Sequence, residues 1–502
     1  MIHASLSSSP SSREGRGEDD DEPGRDKDRL CKTSYCSVLT SDCSLLTLTI
    51  HCPMHCDPTQ RTFHVVTFGC QMNKLDSEVL CAALVRAGWR QAAGEDGAEA
   101  QEADVVICST CSVRQQAENR VLSHLGAWRK RAEREPGFIV GVVGCMAQRL
   151  GAEIVRRFPH VRLVCGTRAF HRVPEHLERI AATGEAVVDL GEDGVSACRD
   201  PALRPERHHA FVSIMRGCDN FCAYCVVPYV RGRPTSRPPA DIAEEMRRLC
   251  GDGVVEVTLL GQNVNAYGAG LDEPVELAAL LKRVSDTPGL KRLRFLTNHP
   301  KDMTEDILRA VASLDVVCEH LHMPAQSGAD AVLERMGRGY ARDEYVRIVE
   351  AARQIVPGIE LSSDFIVGFP GETDGDFEKT LGLLEGVRFQ QSFIFKYSPR
   401  PGTLAAGWAD DVADAVKRER NQRLLAAQAS IDDERRRALV GTEVAVMVDG
   451  QNPDNREGRP LRGRTRGNDI VFFSGPALAP GTRARVRIED ATPLTLFGRQ
   501  IS

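Results

Sequence analysis

Three stretches of the chain carry different hydrophobic rhythms. From about residue 60 to 190, short apolar runs rich in β-branched residues alternate with helical patterns: 63–68 (FHVVTF), 104–108 (DVVIC) and 138–143 (FIVGVV). Runs that are apolar at every residue, not at alternate ones, mark strands covered on both faces, as in a parallel sheet. Between the first two, Leu75, Val79, Leu80, Ala83, Leu84 and Ala87 fall at helical spacing, and Gly88 ends the stripe. The succession predicts an N-terminal doubly wound α/β domain. From about 205 to 435 the alternation recurs six times, with candidate strands at 210–215, 254–260, 293–296, 316–322, 360–367 and 392–397. Amphipathic helical stretches such as 241–249 and 374–384 lie between them. Six such units are two short of a closed eightfold barrel, so a partial (β/α)6 barrel is expected, with its chemistry at the carboxyl ends of the strands. From about 440 onward EVAVMV, DIVFF and RARVRI are separated by Gly, Pro and Asn, which predicts a small OB-like β-barrel. The resulting division is 1–59, 60–190, 204–436 and 437–502.

Composition changes this picture mainly at the front. Residues 1–59 begin Ser-rich, turn acidic (GEDDDE) and hold cysteines 31, 36, 43, 52 and 56, the last two within HCPMHC. A small metal site there is conceivable, but a disordered extension, with Met54 as an alternative start, is the favoured reading. No apolar run approaches the ~20 residues that cross a bilayer, and the acidic front fits neither a secretory nor a mitochondrial leader, so a cytoplasmic protein is expected. The net charge of −6 gives no global attraction for nucleic acid, so any RNA contact must be local. The arginines at 456, 459, 462, 464 and 466 are the place to look, because the planar guanidinium donates two parallel bonds to phosphate.

The chain has 17 cysteines, an odd number that argues for thiolate chemistry in a reducing compartment and against a disulfide scaffold. Cys70, Cys111 and Cys145 each follow the end of a predicted strand of the first segment, so a parallel sheet carries all three to one edge. Cys108 continues an apolar run and is expected to be a packed thiol. Cys218, Cys222 and Cys225 form CDNFCAYC after the first barrel strand. Structural zinc normally takes four protein ligands, and only His208 and His209, beyond the preceding strand, could complete such a site. A four-iron four-sulfur (4Fe–4S) cluster held by three thiolates leaves one iron open, and an open iron implies chemistry. Cys81, Cys165, Cys198, Cys250 and Cys318 read as packed or incidental. His299, His320 and His322 lie at or inside strand ends, where structural roles are commonest, and Arg114 and Arg216 stand near cysteines.

With CDNFCAYC in place, the chain resembles the radical S-adenosylmethionine (SAM) superfamily, whose signature is this loop. The resemblance implies that SAM chelates the open iron and is cleaved to a 5′-deoxyadenosyl radical. It also implies cofactor contacts by Tyr224 in the loop, by Gly261, Gln262 and Asn263 in LLGQNVNAYG, by Gln326 and Ser327 in HMPAQSG, and by Asp364 and Gly368 in SDFIVGFPGET. GCQMNKLDSE, STCSVR and GCMAQ are similar to the N-terminal domain of the methylthiotransferases, which implies that Cys70, Cys111 and Cys145 hold a second 4Fe–4S cluster. One departure is Ser109, where that family commonly has Asn.

The GCQMN and CSVR contexts look more like the branch that modifies tRNA than the branch that modifies a ribosomal-protein aspartate. The implied reaction adds a methylthio group to C2 of N6-isopentenyladenosine at position 37, next to the anticodon, using two SAM per turnover. The C-terminal segment resembles the TRAM domain, an RNA-binding module, and suggests Arg462, Arg464 and Arg466 as RNA contacts. Phe472 and Phe473 cannot both face a strand's core, so one is free to stack on a base. Expected partners are tRNA, an electron-transfer protein such as flavodoxin or ferredoxin, and a sulfur donor, with no membrane and a monomeric chain. The competing reading of another class is a non-catalytic metal-binding RNA-binding protein, which would need neither the glycine loops nor trios lacking a fourth ligand.

Overall fold

The computed structural model describes residues 61–92, 102–113, 115–191, 206–452, 455 and 458–501. The front segment with its five cysteines, Arg114 and Cys198 lie outside them. In the first segment β1 (Thr62–Thr67), β2 (Arg90–Gln91), β3 (Val105–Thr110), β4 (Ile139–Gly144), β5 (Val161–Cys165) and β6 (Val187–Asp189) form a parallel sheet, ordered β2-β1-β3-β4-β5-β6. β3 and β4 are buried at every position, as their uninterrupted apolar runs require. One face packs Phe63, Ile107 and Leu163 against Leu80 and Leu84 of helix Gln71–Arg86. The other packs Val106 and Val140 against Val121, Leu125 and Trp128 of helix Gln115–Arg134. Cys108 belongs to this second layer and is fully buried, which pushes its thiol pKa up.

The central segment starts with β7 (His209–Ser213), followed by a short antiparallel pair, β8 (Met215–Arg216) and β9 (Thr235–Ser236). With β7, β10 (Glu256–Leu260) and β11 (Arg292–Phe295) form one parallel sheet; β12 (His320–His322), β13 (Glu360–Val367) and β14 (Gln391–Lys396) form another. A parallel bridge between Leu293 and Val317 joins them, with Leu293 N donating to Val316 O at 2.6 Å and Cys318 N to Leu293 O at 2.9 Å. The result is the open six-stranded partial barrel, its strands in sequence order. The strand expected at 316–322 shrinks to His320–His322, because 316–318 make this seam instead of a regular ladder.

The final segment is a closed barrel of β15 (Glu443–Gln451), β16 (Leu461–Arg464), β17 (Ile470–Ser474), β18 (Arg483–Ala491) and β19 (Leu496–Ile501), in the order β15-β16-β17-β19-β18. Phe473 fills its core, while Phe472 lies outside it, 6.2 Å from the Phe497 ring. This barrel docks at the amino-terminal ends of the central strands. Arg292 donates to Arg464 O at 2.7 Å, and Arg294 donates to Thr465 O and Arg466 O, both at 2.8 Å. Arg466 in turn grips Glu319 with two bonds of 2.6 Å and reaches the carbonyls of Asp315 and Val317. The Arg466 guanidinium, expected to contact RNA, is engaged in this interdomain joint. Arg462 and Arg464 project from β16 away from its buried positions, Leu461 and Gly463, and Arg464 leans toward Asp449 at 3.4 Å.

Candidate functional site

The CDNFCAYC loop springs from the carboxyl end of β7, at the end of the central barrel opposite the C-terminal barrel. Gly217 has φ +76°, and a Cβ there would lie 2.1 Å from Arg233 O, so only glycine lets the loop turn this tightly. The loop is pinned by Cys218 N donating to Gly232 O at 3.1 Å and Ala223 N to Met336 O at 2.8 Å. Burial raises the Cys218 thiol pKa and, with the neighbouring Cys222 charge, pushes Cys225 up to about 12. Arg338, itself buried, approaches Cys222 Sγ at 3.6 Å and Tyr224 Oη at 3.4 Å, and donates to Pro324 O at 2.8 Å and Tyr340 Oη at 3.1 Å.

Cys70, Cys111 and Cys145 meet at the carboxyl edge of the first sheet, following β1, β3 and β4. Close fit among their backbones is visible at Gly69, φ +134°, where a Cβ would sit 2.3 Å from Cys111 Cβ. Asn73 ties the edge together, accepting from Cys70 Sγ at 3.2 Å and donating to Thr110 O at 2.6 Å. A hydrogen bond from Cys111, outweighing burial and helped by Arg231, lowers the Cys70 pKa to about 6. The same contact and burial raise that of Cys111, and burial raises that of Cys145.

The two trios are linked by the helix that follows Cys225, Val227–Arg231. Cys145 packs on Val226 and Val230, and Arg231 lies 3.3 Å from Cys145 Sγ while pairing with Asp76 at 2.5 and 3.3 Å. Thr167 adds a bond to Val230 O at 2.8 Å. Arg231, Asp76 and Arg338 were not singled out from the sequence. The available signal was an arginine six residues after Cys225, within VPYVRG, and an aspartate within GCQMNKLDSE. Arg216, which was singled out, instead donates to Thr167 O at 2.6 Å.

The expected cofactor residues divide into two groups. Gly261, Gln262 and Asn263 follow β10, with Gln262 Oε1 accepting from Gly217 N at 2.5 Å and Asn263 bonded to Asp302 at 2.6 Å. Gln326, at φ +68°, lies beside β13. Gln326 Oε1 and Asn263 Oδ1 are buried without hydrogen-bond partners, as are Asn298 Oδ1 and His299 Nε2 beyond β11. Burial, with Arg338 and Lys301 nearby, lowers the His299 pKa to about 2, so this imidazole is neutral. Asp364 is half-buried on β13, with His322 Nε2 at 3.6 Å. By contrast the Ser327 hydroxyl is buried against Thr380 Oγ1 at 3.1 Å, and Gly368 is fitted against Lys417, where a Cβ would lie 2.3 Å from Cγ. Both positions are thus also engaged in packing of their loops. His208 and His209 sit at the amino-terminal end of β7, remote from the cysteine loop, with His209 bonded to Thr258 and Glu206.

Three thiols per site match the ligand count of a 4Fe–4S cluster that keeps one iron open, and in the first site the Cys70 and Cys111 side chains already meet in a hydrogen bond.

These features define a radical SAM enzyme with an added N-terminal thiol domain and an RNA-binding-type barrel. Family models agree: Radical SAM superfamily over residues 212–384, Uncharacterized protein family UPF0004 over 62–166, and TRAM domain over 437–501. A tRNA-2-methylthio-N(6)-dimethylallyladenosine synthase from Moorella thermoacetica is 44% identical over 445 residues, 88% of this chain and 99% of the relative. One from Geobacter sulfurreducens is 43% identical over 444 residues, 88% and 97% of the two chains. The chain belongs to this family of tRNA-2-methylthio-N(6)-dimethylallyladenosine synthases. The radical SAM methyltransferase TsrM from Kitasatospora setae shares the fold, with a TM-score of 0.51 at 16% identity over 69% of this chain and 77% of that one.

Proposed function

We propose that the protein adds a methylthio group to C2 of N6-isopentenyladenosine at position 37 of tRNA, beside the anticodon. The observation that carries this reading is the joining of two three-cysteine sites through one short helix, Val227–Arg231, in a chain whose relatives are named for that product. The aromatic C2–H has no useful acidity near neutral pH, so no tuned side-chain base can activate it. When bound, two 4Fe–4S clusters and two SAM per turnover would supply the one-electron cleavage, an open iron to carry the sulfur, and the methyl group.

The chain's own residues hold and shield this chemistry. Cys218, Cys222 and Cys225 hold the cluster that binds SAM, and Cys70, Cys111 and Cys145 hold the auxiliary one. Asn263 and Gln326 offer buried amide oxygens without partners, suited to accept from SAM's ammonium or ribose hydroxyls. Tyr224, Gln262 and Asp364 line the same strand ends, and Gly261 lets the chain pass Met215, where a Cβ would lie 2.6 Å from Cγ. Arg462 and Arg464 on β16 meet RNA phosphate. A loop adenosine, unpaired, can be splayed out of the anticodon arm to present C2. The domain division remains 60–190, 204–436 and 437–502. The chain works as a monomer in the cytoplasm, with a flavodoxin- or ferredoxin-type electron donor and a separate sulfur donor; among the described residues no helix is long and apolar enough to cross a membrane.

Nucleoside mass spectrometry of tRNA from a deletion strain tests the reading. Loss of 2-methylthio adenosines with accumulation of the N6-isopentenyl precursor is expected, and unchanged 2-methylthio adenosines would overturn it in favour of the ribosomal-protein substrate. Anaerobically reconstituted protein should hold about eight iron atoms per chain, four per cluster.

A further inference from the structure

Each cysteine trio has one buried arginine against one of its sulfurs, at 3.3 Å for Arg231 and 3.6 Å for Arg338, and the two differ in how their charge is compensated. Arg231, beside Cys145, is neutralised by Asp76 at 2.5 Å, both side chains being under 10% exposed. Arg338, beside Cys222, is equally buried, but its partners are the Tyr224 and Tyr340 hydroxyls and Pro324 O. Among the described residues no carboxylate forms an ion pair with it.

A buried guanidinium always keeps its proton, and leaving one without a carboxylate is costly. Reducing a cluster adds one negative charge, and no proton need move on the arginine. N–H donors to ligand sulfur and nearby positive charge therefore favour the reduced form and raise the potential, while a carboxylate at the guanidinium cancels most of that effect. Resting on the reading that each trio holds a 4Fe–4S cluster, we propose that Arg338 and the Arg231–Asp76 pair are positioning residues that set the two reduction potentials independently. Arg338 applies a full positive charge to the SAM-binding cluster, and Arg231 a largely compensated one to the auxiliary cluster. An electron from a low-potential donor protein is thus favoured where SAM is cleaved. Because Arg231 lies on the helix leaving the CDNFCAYC loop, it also holds the auxiliary site in fixed relation to that loop.

The test is EPR-monitored redox titration of the full-length, anaerobically reconstituted chain. One cluster is read at a time by replacing the other trio with alanine. Arg338→Gln should lower the SAM-binding cluster's potential by at least a tenfold change in the reduction equilibrium, about 59 mV for one electron, with Arg338→Lys recovering part of it. Asp76→Asn, which frees the charge of Arg231, should raise the auxiliary potential by a similar factor, and Arg231→Gln should lower it. Neither set should move the other cluster. Unmoved potentials at parental iron content, or a downward shift in Asp76→Asn, would overturn the proposal. If Arg231→Gln fails to take up iron, the sign of the Asp76→Asn shift decides. Absence of iron from both trios of the unmodified chain would instead overturn the cluster reading beneath it.

Discussion

The two cysteine trios are assembled by opposite routes. Cys218, Cys222 and Cys225 occupy one eight-residue loop, whose shape depends on a tight turn at Gly217 and a few backbone bonds. Cys70, Cys111 and Cys145 are drawn from three strand ends and meet only because β1, β3 and β4 run parallel and side by side. The contiguous site is thus a local structure carried by the barrel, whereas the distributed one is a product of the whole sheet. Their protonation differs as well. The distributed trio contains the one thiol lowered, Cys70, to about 6, beside Cys111 and Cys145, which are raised, while in the contiguous trio burial raises Cys218 and Cys225.

The sharpest separation comes from removing each trio whole. Alanine at 218, 222 and 225 should halve the iron and abolish both SAM cleavage and methylthiolation. Alanine at 70, 111 and 145 should halve the iron and abolish methylthiolation, yet leave SAM cleavage running unproductively. If SAM cleavage vanished in both, the two sites would not be separable and the comparison would fail.

Single glycines should repeat this in weaker form. Gly69→Ala places a Cβ 2.3 Å from Cys111 Cβ at φ +134°, and Gly217→Ala places one 2.1 Å from Arg233 O. Each stores about 1–3 kcal/mol of backbone strain before the clash is relieved. Iron assay with Mössbauer spectroscopy should find only the auxiliary cluster depleted in the first variant and only the SAM-binding cluster in the second.

Cys108, within β3, and Cys111, just beyond its end, make a narrower test. Cys108→Ala should cost roughly 1 kcal/mol in denaturant unfolding, as a small cavity does, with full iron content; Cys111→Ala should lose the auxiliary iron. Iron loss in Cys108→Ala would move the ligand assignment. The smallest effect is expected far from both sites. Arg466→Gln removes a partly exposed ion pair with Glu319, worth about 1 kcal/mol or less for the pair alone. Burial raises the Glu319 pKa, but the hydrogen bonds and charge of Arg466 outweigh it and the net shift is downward. The pair therefore stabilises above the unfolded carboxyl value of about 4.3 and loses its contribution as pH falls through the lower folded value. In Arg466→Gln that acid-dependent increment should vanish from the unfolding curves while iron content stays unchanged.

The strands of both α/β segments were legible because a parallel strand is covered on both faces, and β-branched runs such as VVIC and FIVGVV have no other common use. The placement of the cysteines was legible too: the meeting of Cys70, Cys111 and Cys145 from their strand-end positions, and the Cys218, Cys222 and Cys225 loop from its spacing. The seam at Leu293 and Val317 was not, since apolar residues pack a seam as readily as a ladder. The partners of Arg466 were not legible for a similar reason: a guanidinium binds a backbone carbonyl or a carboxylate as well as a phosphate, and GRTRGN does not say which is near. The packing of Ser327 and Gly368 against Thr380 and Lys417, which lie dozens of residues away, was likewise not legible.

What the amino-acid order alone determined was everything set by near neighbours: the periodicity of strands and helices, the CDNFCAYC loop, and the strand ends at which thiols emerge. Tertiary structure alone decided which distant groups share a buried space. Asp76 and Arg231 are 155 residues apart, and Arg338 and Cys222 are 116 apart. Charge and hydrogen-bonding groups act over a few ångströms in a low-dielectric interior, so their partners are fixed by how the sheet and the partial barrel pack. No local pattern in the chain encodes that distance.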